Sequence, residues 1–198
     1  NFTSGLDAVP VERNYRTNLV GQILTGNLDF NVSIDKNFAG EHNISGIVSA
    51  NDQQAVNNAL KNPEVHTIML PAGEFTIDLY SQAHEKNTLN IIGTTGTKVA
   101  FADQQVRMAL FKNFRIENCE ILRMATKSWG MLVFGGGNKT DGVYTVSNCT
   151  FKGVGTQGIY INEDNSGATY NIENCTFNGN FGNEGAITIQ TNNAEFNV

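Results

Sequence analysis

Six side chains in the C-terminal half can hold a ligand: Trp129, Tyr160, Asn162, Glu163, Asp164 and Glu184. Trp129 and Tyr160 offer flat amphipathic rings on which a sugar can stack. Glu163 and Asp164 are adjacent carboxylates, able to hold Ca²⁺ or to act on a glycosidic bond, where hydrolysis uses a carboxylate pair. The same run, Asn162-Glu163-Asp164-Asn165-Ser166-Gly167, also reads as a solvated turn. Glu184 and Asp141 are the other acids nearby. His42, His66 and His84 all lie upstream, so this half has no histidine general base. These residues predict ligand binding and no catalytic residue.

The elements that must position them repeat. Phe114-Arg115-Ile116-Glu117-Asn118-Cys119-Glu120-Ile121 recurs as Tyr144-Thr145-Val146-Ser147-Asn148-Cys149-Thr150-Phe151. It recurs again as Tyr170-Asn171-Ile172-Glu173-Asn174-Cys175-Thr176-Phe177. The Asn residues are 30 and 26 positions apart, a spacing that marks a repeat architecture. Each phrase reads as a strand, a corner and a second strand. Alternation places Phe114 with Ile116, Tyr144 with Val146 and Tyr170 with Ile172 on one face. The inward column resumes at Cys119, Cys149 and Cys175. That break in parity requires a bend at Asn118, Asn148 and Asn174, since Asn tolerates the left-handed backbone. Stacked coils then predict a hydrogen-bonded Asn ladder and a Cys column. Gly93 takes the corner slot one coil earlier.

A third strand opens near Gly130, Gly158 and Gly185, which are 28 and 27 apart. Three strands per coil with a period near 27 describe a right-handed, single-stranded parallel β-helix, in which stacking buries what one coil cannot. Alternation from these glycines assigns Ala109, Leu132, Tyr160 and Thr188, then Phe111, Phe134, Asn162 and Gln190, to the outward face of the third strand.

The three cysteines read as free buried thiols. A disulfide between adjacent coils is the rival, because strands about 4.8 Å apart approach a disulfide's Cα separation. Their spacing, with no histidine nearby, matches no zinc pattern, and no metal site is expected.

The chain has 198 residues, 40% hydrophobic and 16% charged, which fits a folded protein. Its 27 Asn suit a corner-rich β structure. A net charge of −6 and the lack of a Lys/Arg cluster argue against nucleic acid as a partner. No apolar run reaches membrane-spanning length. Residues 46–198 read as the β-helix. Ser49 or Asn51 caps an amphipathic helix to about Lys61, whose stripe of Ala55, Val56, Ala59 and Leu60 covers the first coil. Residues 1–45 read as a β-rich segment, either the tail of a preceding domain or a cap of the β-helix. Val9-Pro10-Val11 is extended, Leu28–Ile34 alternates as a strand, Tyr15–Thr25 is helix or strand, and Asp35–His42 is a polar connection. Phe196-Asn197-Val198 repeats Tyr170-Asn171-Ile172 and stops before the next corner. Further coils or a partner chain are therefore expected at that end.

The capping helix, Leu70-Pro71-Ala72-Gly73-Glu74-Phe75-Thr76-Ile77, Leu89-Asn90-Ile91-Ile92-Gly93 and the Asn-Cys coils together resemble the pectate-lyase-like right-handed β-helix superfamily. The resemblance implies the fold and a polysaccharide laid along the third-strand face. A lyase of that kind would use carboxylates to hold Ca²⁺ and an Arg or Lys base, and the outward positions assigned above hold neither. Val9–Gly21, with Leu24-Thr25 and a strand ending in Ile34-Asp35, resembles the tail of fimbrillin-like surface lipoprotein domains of Bacteroides-type bacteria. That likeness implies an exported protein, extracellular or anchored at the outer membrane, whose leader lies outside this sequence. The expected function is a non-catalytic bacterial cell-surface or secreted module that binds carbohydrate, as a polysaccharide or a host or bacterial surface glycan, or another surface ligand, adhesin-like and needing no cofactor beyond a candidate Ca²⁺. A polysaccharide lyase or glycoside hydrolase is the alternative, and a structural stalk is the third reading.

Overall fold

The computed structural model describes residues 16–20, 31–35, 46–79, 82–102, 106–107, 110–124, 129–135, 141–162, 167–190 and 194–198. Positions 16–20, 31–35 and 106–107 are described as backbone. Two compact units make up the chain, 1–45 and 46–198. In the first, β1 (Arg16–Val20) pairs antiparallel with β2 (Asn31–Asp35), Arg16 opposite Asp35. The helix-or-strand ambiguity over Tyr15–Thr25 therefore resolves to strand at Arg16–Val20. Val9-Pro10-Val11 and 36–42 lie outside the described residues.

The second unit is a parallel β-solenoid. Its first sheet stacks β3 (Ile47–Ser49), β4 (Thr67–Met69), β6 (Thr88–Ile92), β9 (Asn113–Glu117), β12 (Val143–Ser147), β15 (Thr169–Glu173) and β18 (Glu195–Asn197). Its second stacks β5 (Gly73–Ile77), β7 (Thr97–Phe101), β10 (Glu120–Leu122), β13 (Thr150–Val154) and β16 (Thr176–Asn180). Its third stacks β8 (Val106–Arg107), β11 (Leu132–Gly135), β14 (Ile159–Ile161) and β17 (Ile187–Ile189). Every neighbouring pair in the three sheets is parallel.

The register makes like residues meet. Leu89, Phe114, Tyr144, Tyr170 and Phe196 form one inward column of the first sheet. Val99, Ile121, Phe151 and Phe177 form one in the second. Parallel strands separated by one coil hold in-register rings at stacking distance. Phe151 and Phe177 lie 4.8 Å apart at 10°. Tyr144–Tyr170 and Tyr170–Phe196 are both 5.3 Å apart.

The corner between the first and second sheets is the left-handed turn that Asn favours. Asn118, Asn148 and Asn174 have φ of 58°, 52° and 51°. Their backbones carry the stacking: Asn118 N donates to Ser147 O at 3.2 Å and Asn148 N to Glu173 O at 2.9 Å. The Asn148 amide donates to Glu117 Oε1 at 3.4 Å, and an Asn-to-Asn amide bond lies instead on the sheet face, from Asn197 Nδ2 to Asn171 Oδ1 at 2.9 Å. Gly93 occupies the same level but is not left-handed. A Cβ there would sit 2.6 Å from Asn118 O and 2.8 Å from Cys119 Sγ, so close approach excludes a side chain. Its coil turns instead over a longer loop, with the positive φ of 88° at Gly96.

All three cysteines are free. Burial pushes the Cys119 thiol up to about 12. The hydrogen bond between Cys149 and Cys175, one coil apart, raises Cys149 and lowers the half-buried Cys175.

The capping helix is α1 (Gln53–Lys61), whose N-cap is Asp52 rather than Ser49 or Asn51. Asp52 Oδ1 accepts from Ala55 N at 2.7 Å. Val56, Ala59 and Leu60 are its buried stripe. Gln53 joins it to the sheet edge: its amide donates to Thr76 O and accepts from Thr76 N, both at 2.8 Å, as a neighbouring strand would. At the other end, buried Lys86 Nζ donates to Val65 O at 2.8 Å and Asn62 O at 2.9 Å. It also reaches Leu60 O at 3.3 Å and Ala59 O at 3.4 Å. An ammonium has three donors, so the two longer contacts share one. The cation thus satisfies last-turn carbonyls and opposes the negative end of the helix dipole. Burial lowers its pKa to about 8. Among the described residues, no helix is long and apolar enough to cross a membrane.

Candidate functional site

The third sheet corrects the outward positions expected from its glycines. Leu132 aligns with Ile159 and Ile187, and Phe134 with Ile161 and Ile189. Leu132 and Phe134 are fully buried in the core, as is Phe111, while Ala109 lies outside the described residues. The outward row is Val133, Tyr160 and Thr188. The error has a local cause. β14 begins directly after Gly158, whereas Met131 intervenes between Gly130 and β11, so counting from the glycine flips the parity.

Just before this sheet the coils bring three side chains to one place. Trp129, Thr156 and Glu184 each stand three positions ahead of an in-register strand residue. With Gly155, Gln157, Tyr160, Phe181, Gly182 and Asn183, they line an open cleft of about 320 Å³. Hydrogen bonds link its rungs. Thr156 Oγ1 donates to Trp129 O at 2.7 Å and lies 3.2 Å from Gln157 Oε1, and Gln157 Nε2 donates to the Glu184 carboxylate. Thr156 and Gln157 are buried, so Glu184, itself exposed, is held by a fixed partner. Trp129 remains 45% exposed, which leaves ring surface for a ligand. Its indole meets Tyr160 edge-on, with centroids 6.0 Å apart and planes at 68°. The Tyr160 hydroxyl lies 2.5 Å from Gln190 Oε1.

Three of the six expected ligand-binding residues, Trp129, Tyr160 and Glu184, therefore share one cleft. Asn162 follows β14 on the same outward row as Tyr160, half-buried, its backbone N bonded to Phe134 O at 3.0 Å. Glu163 and Asp164 lie outside the described residues. Thr156, Gln157 and Asn183 escaped the reading from sequence. The signal that finds them is the common slot ahead of the third strand, which pairs Trp129 with Thr156 and Gln157 with Glu184, each 27 residues apart. Among the described residues, no group of three or more His, Cys, Asp or Glu side chains is placed to hold a metal.

A second, wider depression of about 680 Å³ runs along the corner column, lined by residues 93–98 with Asn118, Cys119, Glu120, Asn148 and Thr150. It presents hydroxyls, amides and one Lys–Glu level but no aromatic ring. The Trp129 cleft combines stacking surface with oriented polar groups, so it is the stronger candidate.

No curated protein and no solved structure matches the chain. Residues 1–89 match the model of a family of unknown function, DUF6562, a stretch that covers the N-terminal unit, α1 and the first strands of the solenoid.

Proposed function

We propose that the chain is a non-catalytic carbohydrate-recognition module, exported and carried at a bacterial cell surface or secreted. The observation that carries this reading is the half-exposed Trp129 indole set against Tyr160, beside amide and carboxylate groups in a hydrogen-bonded row. A pyranose offers an apolar C–H face and a rim of hydroxyls. The indole takes the first, and Glu184, Asn183 and Gln157 supply acceptors and donors for the second. The likeness of the coils to pectate-lyase-like β-helices supports a glycan on the third-sheet side. The likeness of Val9–Gly21 to fimbrillin-like surface domains supports export. The reading needs no cofactor.

Hydrolysis by a carboxylate pair draws less support, because Glu184 is the one carboxylate among the described cleft residues. A bare stalk gives no role to an exposed indole. The test is a polysaccharide panel scored at once for binding and for new reducing ends or unsaturated product. The expected outcome is binding without product, with affinity falling at least tenfold in Trp129→Ala. Product release would replace the module by an enzyme. Binding to no glycan would leave the stalk.

A further inference from the structure

We infer that the cleft selects amino sugars, so that the bound glycan carries free ammonium groups; this rests on the carbohydrate reading above. The argument is the sign and placement of charge. Among the described lining residues, Glu184 is the one side chain with a formal charge. Its carboxylate is held in place by Gln157, which is itself bonded to Thr156. Trp129 is 45% exposed and Tyr160 only 9%, and their planes meet at 68°, so the indole offers the open ring face and Tyr160 braces it. An exposed indole face attracts a cation through its negative π surface, and a carboxylate on the same cleft adds a charge-assisted hydrogen bond. A neutral hexose uses the indole but gains little from Glu184. An acidic sugar meets repulsion from it, and a protein of net charge −6 adds to that repulsion. An ammonium on the sugar ring uses the indole, the carboxylate and the net charge together, while the sugar hydroxyls face Asn183 and Gln157.

The experiment compares β-1,4-linked glucosamine oligomers with their N-acetylated counterparts by titration calorimetry. Acetylation keeps the ring and removes the charge. Wild type, Glu184→Gln and Trp129→Ala are each measured in low and in high salt, with thermal melts showing that the variants fold. The expected result is at least tenfold tighter binding of the free-amine oligomer, a preference that shrinks with salt and collapses in Glu184→Gln. Trp129→Ala weakens both sugars. Equal affinity for the two oligomers, or a preference that survives Glu184→Gln, overturns the amino-sugar inference and leaves the carbohydrate reading standing. If wild type binds neither oligomer nor any other glycan, both fall. Binding of oligolysine with the same Trp129 and Glu184 dependence, and of no sugar, overturns it in favour of a basic peptide.

Discussion

Asn148 sits at φ +52°, exposed at the corner, between two strands whose side chains point inward on either side of it. A left-handed backbone costs an ordinary L-residue roughly 1 kcal/mol, Asn less and Gly nothing. The side chain adds one long bond to Glu117. Asn148→Ala should therefore destabilise by about 1 kcal/mol, mostly through the backbone, whereas Asn148→Gly should lie within a few tenths of wild type. Paired denaturant titrations decide this. If Gly costs as much as Ala, the amide rather than the dihedral holds the corner. The corner was legible in the sequence because a one-residue break in period-two alternation has few structural solutions, and Asn recurred in the break. Gly93 shared that slot but not its reason. Glycine is used both for positive φ and for close approach, and only the neighbouring Cys119 and Asn118 reveal the second. Trp129 and Glu184 were legible by residue type. Their place on one cleft was not, since it depends on the exact register of β11, β14 and β17, which loops of unequal length had hidden.

At the scale of elements, α1 covers the first coil and Lys86 fixes its end. Nothing in the local sequence marks Lys86, because its acceptors lie 21 to 27 residues upstream. Composition suggests a solvated lysine, and only the fold places its ammonium beneath the last turn of the helix. Lys86→Met keeps most of the aliphatic volume and removes the donor. It leaves the Asn62 and Val65 carbonyls without this partner and exposes the helix end to an uncompensated dipole. The expected cost is about 2–4 kcal/mol, with amide exchange in α1 rising ahead of the rest of the solenoid. A loss below about 0.5 kcal/mol would mean that water replaces the ammonium and that the contact is incidental. The Gln53 clamp on Thr76 belongs to the same element: a side-chain amide closes the edge of the second sheet where a further strand would otherwise pair.

Across the whole molecule, each coil contacts mainly its neighbours, so stability should be distributed along the axis rather than shared by one centre. The burial of equivalent side chains follows that expectation. Phe114, Tyr144 and Phe151 are fully buried, whereas Phe177, Ile187 and Phe196 in the final coils are partly exposed and Ile189 is 42% exposed. Truncating a ring in the middle breaks the stack on both sides, and truncating one at the end disturbs a single neighbour. Phe151→Ala should thus cost about 3–5 kcal/mol and lower protection across β10, β13 and β16. Phe196→Ala should cost ~1 kcal/mol and loosen only β18 and β15. Hydrogen exchange read strand by strand separates these outcomes. If Phe196→Ala lowered protection as far as β9, the solenoid would be one cooperative unit. The candidate cleft, which draws residues from three successive coils, would then be rigid throughout instead of loosening first on its Glu184 side.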